Sequence, residues 1–494
     1  MSRLDEIRQS RLEKIDILNK AGMESYTSQV SRDFTLKELN LRFKDLLQDE
    51  NTVSVVGRVM AIRGQGAIAF VVLNDGTSEF QVVFKKDEID MAIFDLFRKT
   101  VDMGDFIQVS GSLFLTERGQ ESLLVQNWKM ASKSLLPLPE KWAGLQDVEE
   151  KYRKRYLDIL SDKEVFDRFV IRTQIIKSIR SYLDNKGFLE IETPILQTQA
   201  GGAMAQTFNT HHNDYDMDMV LRISLELEHK MLMVGGYNRI YEIGKNFRNE
   251  GSDPSHIQEF TMIEWYAAYQ TLEDNMNWTE EMLKGVAQDV VGKTTFTVYD
   301  KEGESIEVDF GGEWPRVDFA ELVHKESGLD MKTASLEDIK TKAKELGMET
   351  KEISKTGKGN LLDFIFKKTA RHKIINPTFV MNYPSELKPL AQQNNDGTAK
   401  VTQLIIAGAE ITNQYAELVD PMIQRKLLED QSAAKKSGDV EAMDVDERFL
   451  TAMEQGMPPM TGFGMGIDRL VAILTEQKNL RDVIFFPIMK PKEE

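Results

Sequence analysis

The chain is 494 residues long, too long for one ordinary domain, and 41% hydrophobic with 29% charged residues suits a globular protein of two or three cores. Its 62 basic and 80 acidic residues leave a formal charge of -18, which argues against sequence-blind coating of nucleic acid but leaves room for a local basic face. It holds no cysteine, which excludes disulfides, thiolate metal sites and cysteine nucleophiles.

No apolar run approaches the roughly 20 residues that span a bilayer. The opening Met1-Ser-Arg-Leu-Asp-Glu-Ile-Arg mixes charges where a signal peptide has an apolar core, so the expected location is cytoplasmic, with no membrane partner. Residues 3–21 read as a charged amphipathic helix, with Leu4, Ile7, Arg11, Ile15 and Leu18 along one face. From Val53 the period switches to two. Strands are expected at Val53–Val59, Ala69–Val72 and Phe80–Phe84, with Asn74-Asp75-Gly76 as a turn. A helix from Asp87 to Thr100 and two further strands, Phe106–Leu115 and Ser122–Trp128, complete the order of a five-stranded OB-fold barrel. Such a barrel commonly takes single-stranded nucleic acid on its open face, although a small barrel with another role has the same order.

Leu135-Leu136-Pro137-Leu138-Pro139 reads as a linker. The expected organisation is an N-terminal helical segment (1–50), the barrel (51–133), the linker (134–150) and a larger domain (151–494). Ser161-Asp-Lys-Glu164 resembles a capping box opening a helix that Gly187 ends, and Phe188–Pro194 reads as a strand with Pro194 at its end. Residues 430–448 read as an exposed helix and loop without chemistry of their own.

Tyr241–Glu250 followed by Ser255–Tyr266 reads as a strand, a polar loop and a returning strand. Alternation sends Phe260, Met262, Glu264 and Tyr266 to one face, a pattern open to two readings: a pocket for a cationic ligand, or a sheet with a solvated polar end. Two stretches imitate phosphate-binding loops. Gly292-Lys293-Thr294 lacks the earlier glycine of a P-loop, since position 287 is Ala. Gly462-Phe-Gly464-Met-Gly466 has Ile467 where a dinucleotide fingerprint needs its third glycine, so neither loop is expected.

The hairpin at about 241–266 resembles motif 2 of the class II aminoacyl-tRNA synthetases, Gly187–Pro194 their motif 1, and about 462–474, with Gly466-Ile467-Asp468-Arg469, their motif 3. Gly201-Gly202-Ala203, Thr210-His211-His212-Asn213, Leu221-Arg222-Ile223, Asn376-Pro-Thr-Phe and Glu410-Ile-Thr-Asn413-Gln-Tyr-Ala-Glu417-Leu extend the resemblance, which is closest to the lysine-specific family. Several motifs in one order over more than half of the chain are far more specific than any one of them.

The resemblance implies an α+β fold, with an N-terminal OB-fold β-barrel and a C-terminal class II synthetase domain built on an antiparallel sheet flanked by helices. It implies ATP-dependent ligation of L-lysine to tRNA(Lys) through a lysyl-adenylate, releasing pyrophosphate and AMP. No protein nucleophile is required, so catalysis rests on alignment and on neutralising phosphate charge. Arg248 would bridge the lysine carboxylate and the α-phosphate, with Arg469 over the far end of ATP. Phe260 would stack on adenine, and Glu250, His256 and Glu410 would contact the nucleotide. Gly202 and Glu226 would take the α-amino group, and Asn413 the carboxylate. Glu264, Tyr266 and Glu417 would surround the ε-ammonium.

Magnesium would be held by phosphates and by Glu410; the second family position, usually acidic, is Gln403 here, which brings no charge. Arg58, Phe70, Gln81 and Glu121 match positions used on a uridine-rich anticodon, and motif 1 implies a homodimer with Pro194 near its axis. Three other readings are weaker. An aspartyl or asparaginyl relative would need basic residues where Glu226, Glu264 and Glu417 stand. A paralogue that lysylates a translation factor would lack the barrel. A non-catalytic RNA-binding or amino-acid-sensing protein would have a broken site, yet Arg248, Glu410 and Arg469 are present.

Overall fold

Period-two alternation builds the first unit, Met1–Gln146, around a closed barrel. The structure is a computed structural model that describes residues 2–49, 51–64, 66–139, 145–203, 205–299, 303–436 and 444–492. Parts of the expected linker (140–144) and of the expected exposed segment (437–443) lie outside the described residues.

Strands β1 (Val53–Arg63), β2 (Ile68–Asn74), β3 (Glu79–Lys85), β4 (Phe106–Leu115) and β5 (Glu121–Ser132) close in the order β1-β2-β3-β5-β4. Every second side chain of β1, from Val53 through Val59, is buried, and Phe84 stacks on Phe97 of the helix Met91–Thr100 at 3.8 Å between ring centroids. Two amino-terminal helices, α1 (Arg3–Lys20) and α2 (Leu36–Gln48), add Leu18, Leu36, Leu39 and Phe43 to the barrel core. α1 is therefore more than the solvated helix its charge suggests. Arg11 is buried, and its guanidinium donates to the carbonyls of Met103, Ser134 and Leu136.

The second unit, Asp147–Glu494, carries the remaining strands. These are β6 (Leu189–Glu190), β7 (Leu196–Gln197), β8 (Asn209–His212), β9 (Met217–Leu221), β10 (Arg239–Phe247), β11 (Glu259–Ala268), β12 (Thr295–Tyr299), β13 (Ser305–Asp309), β14 (Arg316–Asp318), β15 (Thr378–Met381), β16 (Val401–Ile406), β17 (Ala409–Ala416) and β18 (Met460–Gly466). Eight of them form one sheet in the order β14-β15-β16-β17-β18-β11-β10-β6, antiparallel except at its two ends. One face of β11 and β18 is core: Trp265 stacks on Phe463 at 3.4 Å among Ile263, Ala267 and Met465. Alternation then turns Glu264, Tyr266, Gly462 and Gly464 to the other face.

Two local expectations change. The long helix α3 (Lys163–Asn185) is capped by Asp162, which accepts from the backbone N–H of Glu164 and Val165. Ser161 instead closes the preceding helix Arg155–Ser161, donating to the Leu157 carbonyl. Either side chain can cap, and the earlier helix had already claimed the serine. The strand expected over Phe188–Pro194 is paired only at Leu189–Glu190. Beyond it, the backbone N–H and hydroxyl of Thr193 turn to the buried Glu242 carboxylate at 3.0 and 2.7 Å.

Candidate active site

Strand β18 contributes glycine to the face turned away from the core, and that absence of side chains makes the site. Gly462 lies between Tyr266 of β11 and Tyr415 of β17, and Gly464 between Glu264 and Asn413. A Cβ at Gly462 would stand 2.1 Å from Glu417 Oε1 and 2.7 Å from Tyr266, while at Gly464 it would meet the Met262 methyl at 2.8 Å. The glycines clear a trough in the sheet, walled by the long side chains of its neighbours. The result is a cavity of about 360 Å³. Its lining includes every residue expected at the synthetic site, Gly202, Glu226, Arg248, Glu250, His256, Phe260, Glu264, Tyr266, Glu410, Asn413, Glu417 and Arg469, with one exception. Gln403 lies buried on β16, off the lining, and its amide donates to Asn413 Oδ1 at 3.5 Å.

The acids share one cation that the sequence reading did not single out. The Lys230 ammonium is fully buried, 2.6 Å from Glu226 and 2.5 Å from Glu417. It belongs to the helix Glu226–Val234, where i,i+4 spacing puts it over Glu226. That spacing was visible in the sequence. Its long-range partner Glu417 was not. Glu264 has no ion pair among the described residues. It accepts instead from Ser224 Oγ (3.0 Å), Leu225 N (3.1 Å) and the Tyr266 hydroxyl (3.1 Å). Three carboxylates against one lysine leave the pocket short of positive charge. Burial accordingly pushes Glu226 up and Glu417 up to about 8, with neighbouring carboxylates adding repulsion and Lys230 opposing both shifts. The two carboxylates in turn raise Lys230 despite its burial, so it stays charged.

The cations of the cavity have the opposite shortage. Among the described residues, neither Arg248, Arg469 nor Lys388 has a carboxylate within ion-pair distance, and all three line the cavity. The Arg248 guanidinium lies over the Phe260 ring at 5.1 Å and meets the Ile223 carbonyl at 3.4 Å, while burial lowers its pKa. Arg469 donates to the Glu410 carbonyl (2.9 Å) and to His256 Nε2 (3.2 Å). His256 Nδ1 faces Asp253 at 2.8 Å, an arrangement that suits the neutral Nδ1–H tautomer. Burial of Asp253 is outweighed by hydrogen bonds from Ser255 and His256, and its carboxyl sits near 2. Arg469 is set in place through its neighbour. Asp468 takes the Thr261 N–H of β11 at 2.8 Å and pairs with Arg172 of α3 at 2.7 Å. Cations without partners beside acids with too few describe a cleft for an anion and a cation held together.

Gly202 has φ +79°, and a Cβ there would meet Glu226 and Ser224 at 2.9 Å, so only glycine lets this loop approach the acids. Among the described residues no group of three or more His, Asp or Glu converges as a metal site. Among the described residues the Glu410 carboxylate lines the cavity without a hydrogen bond or ion pair, a donor that fits a cation carried mainly by other ligands.

On the barrel, Arg58, Phe70 and Gln81 occupy non-core positions of β1, β2 and β3, and Glu121 opens β5. Gln81 stands opposite Val72, two residues from Phe70, and Arg58 opposite Asn74, so the ladder brings these side chains onto one outer wall. Phe70 is exposed, Arg58 lies over Phe106 at 4.3 Å, and Gln81 donates to Ser122.

Two family models match the chain. Residues 147–490 match the class II tRNA synthetases (D, K and N), and residues 53–131 match the OB-fold nucleic acid binding domain. The lysine--tRNA ligase of Carboxydothermus hydrogenoformans is 41% identical over 99% of this chain and 99% of its own length. That of Moorella thermoacetica is 42% identical over 98% of both chains, and that of Nostoc sp. 42% identical over 99% of this chain and 88% of its own.

Proposed function

The chain belongs to the class II tRNA synthetases of the D, K and N group, and on that premise we infer that it joins L-lysine to tRNA(Lys), using ATP. The observation that carries the choice of lysine is the set Glu226, Glu264 and Glu417, of which Lys230 pairs with the first and last alone among the described residues, in the same cavity as Arg248, Arg469 and Lys388. A dicationic amino acid supplies the positive charge the acids lack. Its carboxylate and the ATP phosphates supply the negative charge the cations lack. Aspartate or asparagine would leave the three acids with Lys230 alone.

In this reading a lysine carboxylate oxygen attacks the α-phosphorus of ATP and pyrophosphate leaves. The terminal ribose hydroxyl of tRNA then attacks the acyl carbon and AMP leaves. Arg248 spans the carboxylate and the α-phosphate as a planar donor whose charge no internal acid claims. Arg469 holds the far phosphate, Phe260 stacks on adenine, and Glu250 and His256 meet the nucleotide. Gly202 and Glu226 take the α-ammonium, while Glu264, Tyr266 and Glu417 take the ε-ammonium.

Mg2+ carried by ATP would neutralise phosphate charge, and Glu410 is the residue available to hold it. Gln403, off the cavity lining, would reach it only through water. The barrel wall of Arg58, Phe70 and Gln81, with Glu121 at the start of β5, meets the anticodon. No helix among the described residues is long and apolar enough to cross a membrane, and a cytoplasmic location belongs to this reading. So does a homodimer through motif 1, supported by the exposed apolar side chains of Leu189, Ile195 and Leu196.

Charging of unfractionated tRNA with each amino acid in turn tests the proposal. Lysine should be the amino acid attached, and Arg248→Ala should cut lysine activation by on the order of 10²–10³-fold or more without unfolding the chain. Attachment of another amino acid would overturn it.

A further inference from the structure

Of the three cations that line the cavity, Lys388 has no substrate group of its own assigned to it. Lys388 follows the short turn Ser385–Leu387 and is half-buried on the cavity wall. Its backbone is anchored to the acid pocket: Pro389 O accepts from Gln424 at 3.1 Å, and Leu390 O accepts from Lys230 at 3.4 Å. The ammonium lies 5.5 Å from the Tyr383 ring and 5.7 Å from the Tyr415 ring, so two aromatic faces hold it in place. One oxygen reaches it, Asn413 Oδ1 at 3.4 Å, and no carboxylate lies within ion-pair distance among the described residues. An ammonium has three protons to donate, and most of this one's capacity is unspent. A cation desolvated this far without a counter-ion favours an anion beside it.

Asn413 is poorly placed to be the carboxylate ligand that family resemblance suggests. Its Nδ2 donates to the Tyr415 hydroxyl at 2.7 Å, and its oxygen faces Lys388 and the Gln403 amide. The oxygen, directed at two donors, offers nothing to a carboxylate, and one of the two Nδ2 protons is already spent on Tyr415. We propose that Lys388 holds the carboxylate of the amino-acid substrate, and that Asn413 positions the Lys388 ammonium rather than donating to the substrate. Lys388 then fixes the attacking carboxylate from one side and Arg248 from the other. This inference rests on lysine as substrate.

The test is calorimetric binding, without ATP or Mg2+, of L-lysine and of L-lysinol, which keeps both amines and replaces the carboxylate by a hydroxymethyl group. The wild type should prefer lysine. Lys388→Met should weaken lysine by about tenfold to a hundredfold and lysinol by less than about threefold, so the preference collapses. Lys388→Arg should restore part of it. A Lys388→Met variant that keeps the wild-type preference would overturn the assignment. Equal losses for both ligands in both variants would also overturn it, by making Lys388 a support for the pocket wall. Wild-type protein that binds neither ligand would count against lysine as substrate instead.

Discussion

At the residue scale the site turns on one shared proton balance. Glu417, raised to about 8 by burial, binds a proton in the fold at pH values where the free side chain has lost it. Its contribution to stability is therefore present below its ordinary pKa of 4.5 and is lost as pH rises through about 8. Substrate reverses the preference, because a second ammonium favours the ionised acid. The lysine KM should fall as pH rises from 6 toward about 8, and binding below that point should release a proton. Calorimetry in buffers of different ionisation enthalpy measures the release, and proton-neutral binding at pH 6.5 would contradict it. Lys230→Met removes the cation that pairs with both Glu226 and Glu417. It should cost about 3–5 kcal/mol in urea unfolding at pH 8.5 and clearly less at pH 5.5, where the acids can protonate. Gln403→Glu should lower the Mg2+ concentration for half-maximal pyrophosphate exchange, and unchanged half-saturation would remove Gln403 from the metal's surroundings. Glu264 and Glu417 were readable in the sequence because they fall inside segments that resemble the family's, and Glu226 because it follows Leu221-Arg222-Ile223. Lys230 and Lys388 were not, since a lysine in a mixed helix or loop looks like solvated charge until the fold closes around it.

At the scale of the element, β18 shows how a glycine pattern can be seen, and a nucleotide loop rejected, without its purpose being evident. Gly462, Gly464 and Gly466 imitate a nucleotide loop in spacing, yet they sit on a central strand where each absent side chain is cavity. Period two reveals the strand, while the reason for the glycines lies on the neighbouring strands and appears only with the register. Gly462→Ala should bring a methyl against Glu417 and Tyr266 and raise the lysine KM about 10- to 100-fold, leaving the ATP KM within about twofold. A variant with normal lysine KM would show that this stretch of strand does not face the substrate. The motif 2 hairpin was legible in its order and its inward face, because alternation carries the face, although the return strand opens at Glu259 rather than Ser255. The Phe188–Pro194 strand was legible only in part, because Thr193 exchanges the ladder for the Glu242 carboxylate, a partner 49 residues away.

For the whole molecule, the division of labour between two units gives separable predictions. Phe70 is exposed on the barrel, and Phe70→Ala should reduce lysine transfer to tRNA by the loss of about 1–3 kcal/mol of stacking. Lysine-dependent pyrophosphate exchange should stay unchanged, and an equal loss in both assays would contradict the assignment. Class and fold were legible at this scale, as ordered motifs span the chain; the tie of α1 to the barrel through Arg11 was not, because its acceptors are carbonyls more than 90 residues away. The central claim is that the acid-rich cavity selects lysine. The most direct measurement is kcat/KM for pyrophosphate exchange with lysine, ornithine, aspartate and asparagine on the intact chain. Lysine should exceed ornithine by roughly 10- to 200-fold and the other two by far more. An aspartate or asparagine value equal to or above that for lysine would contradict the account.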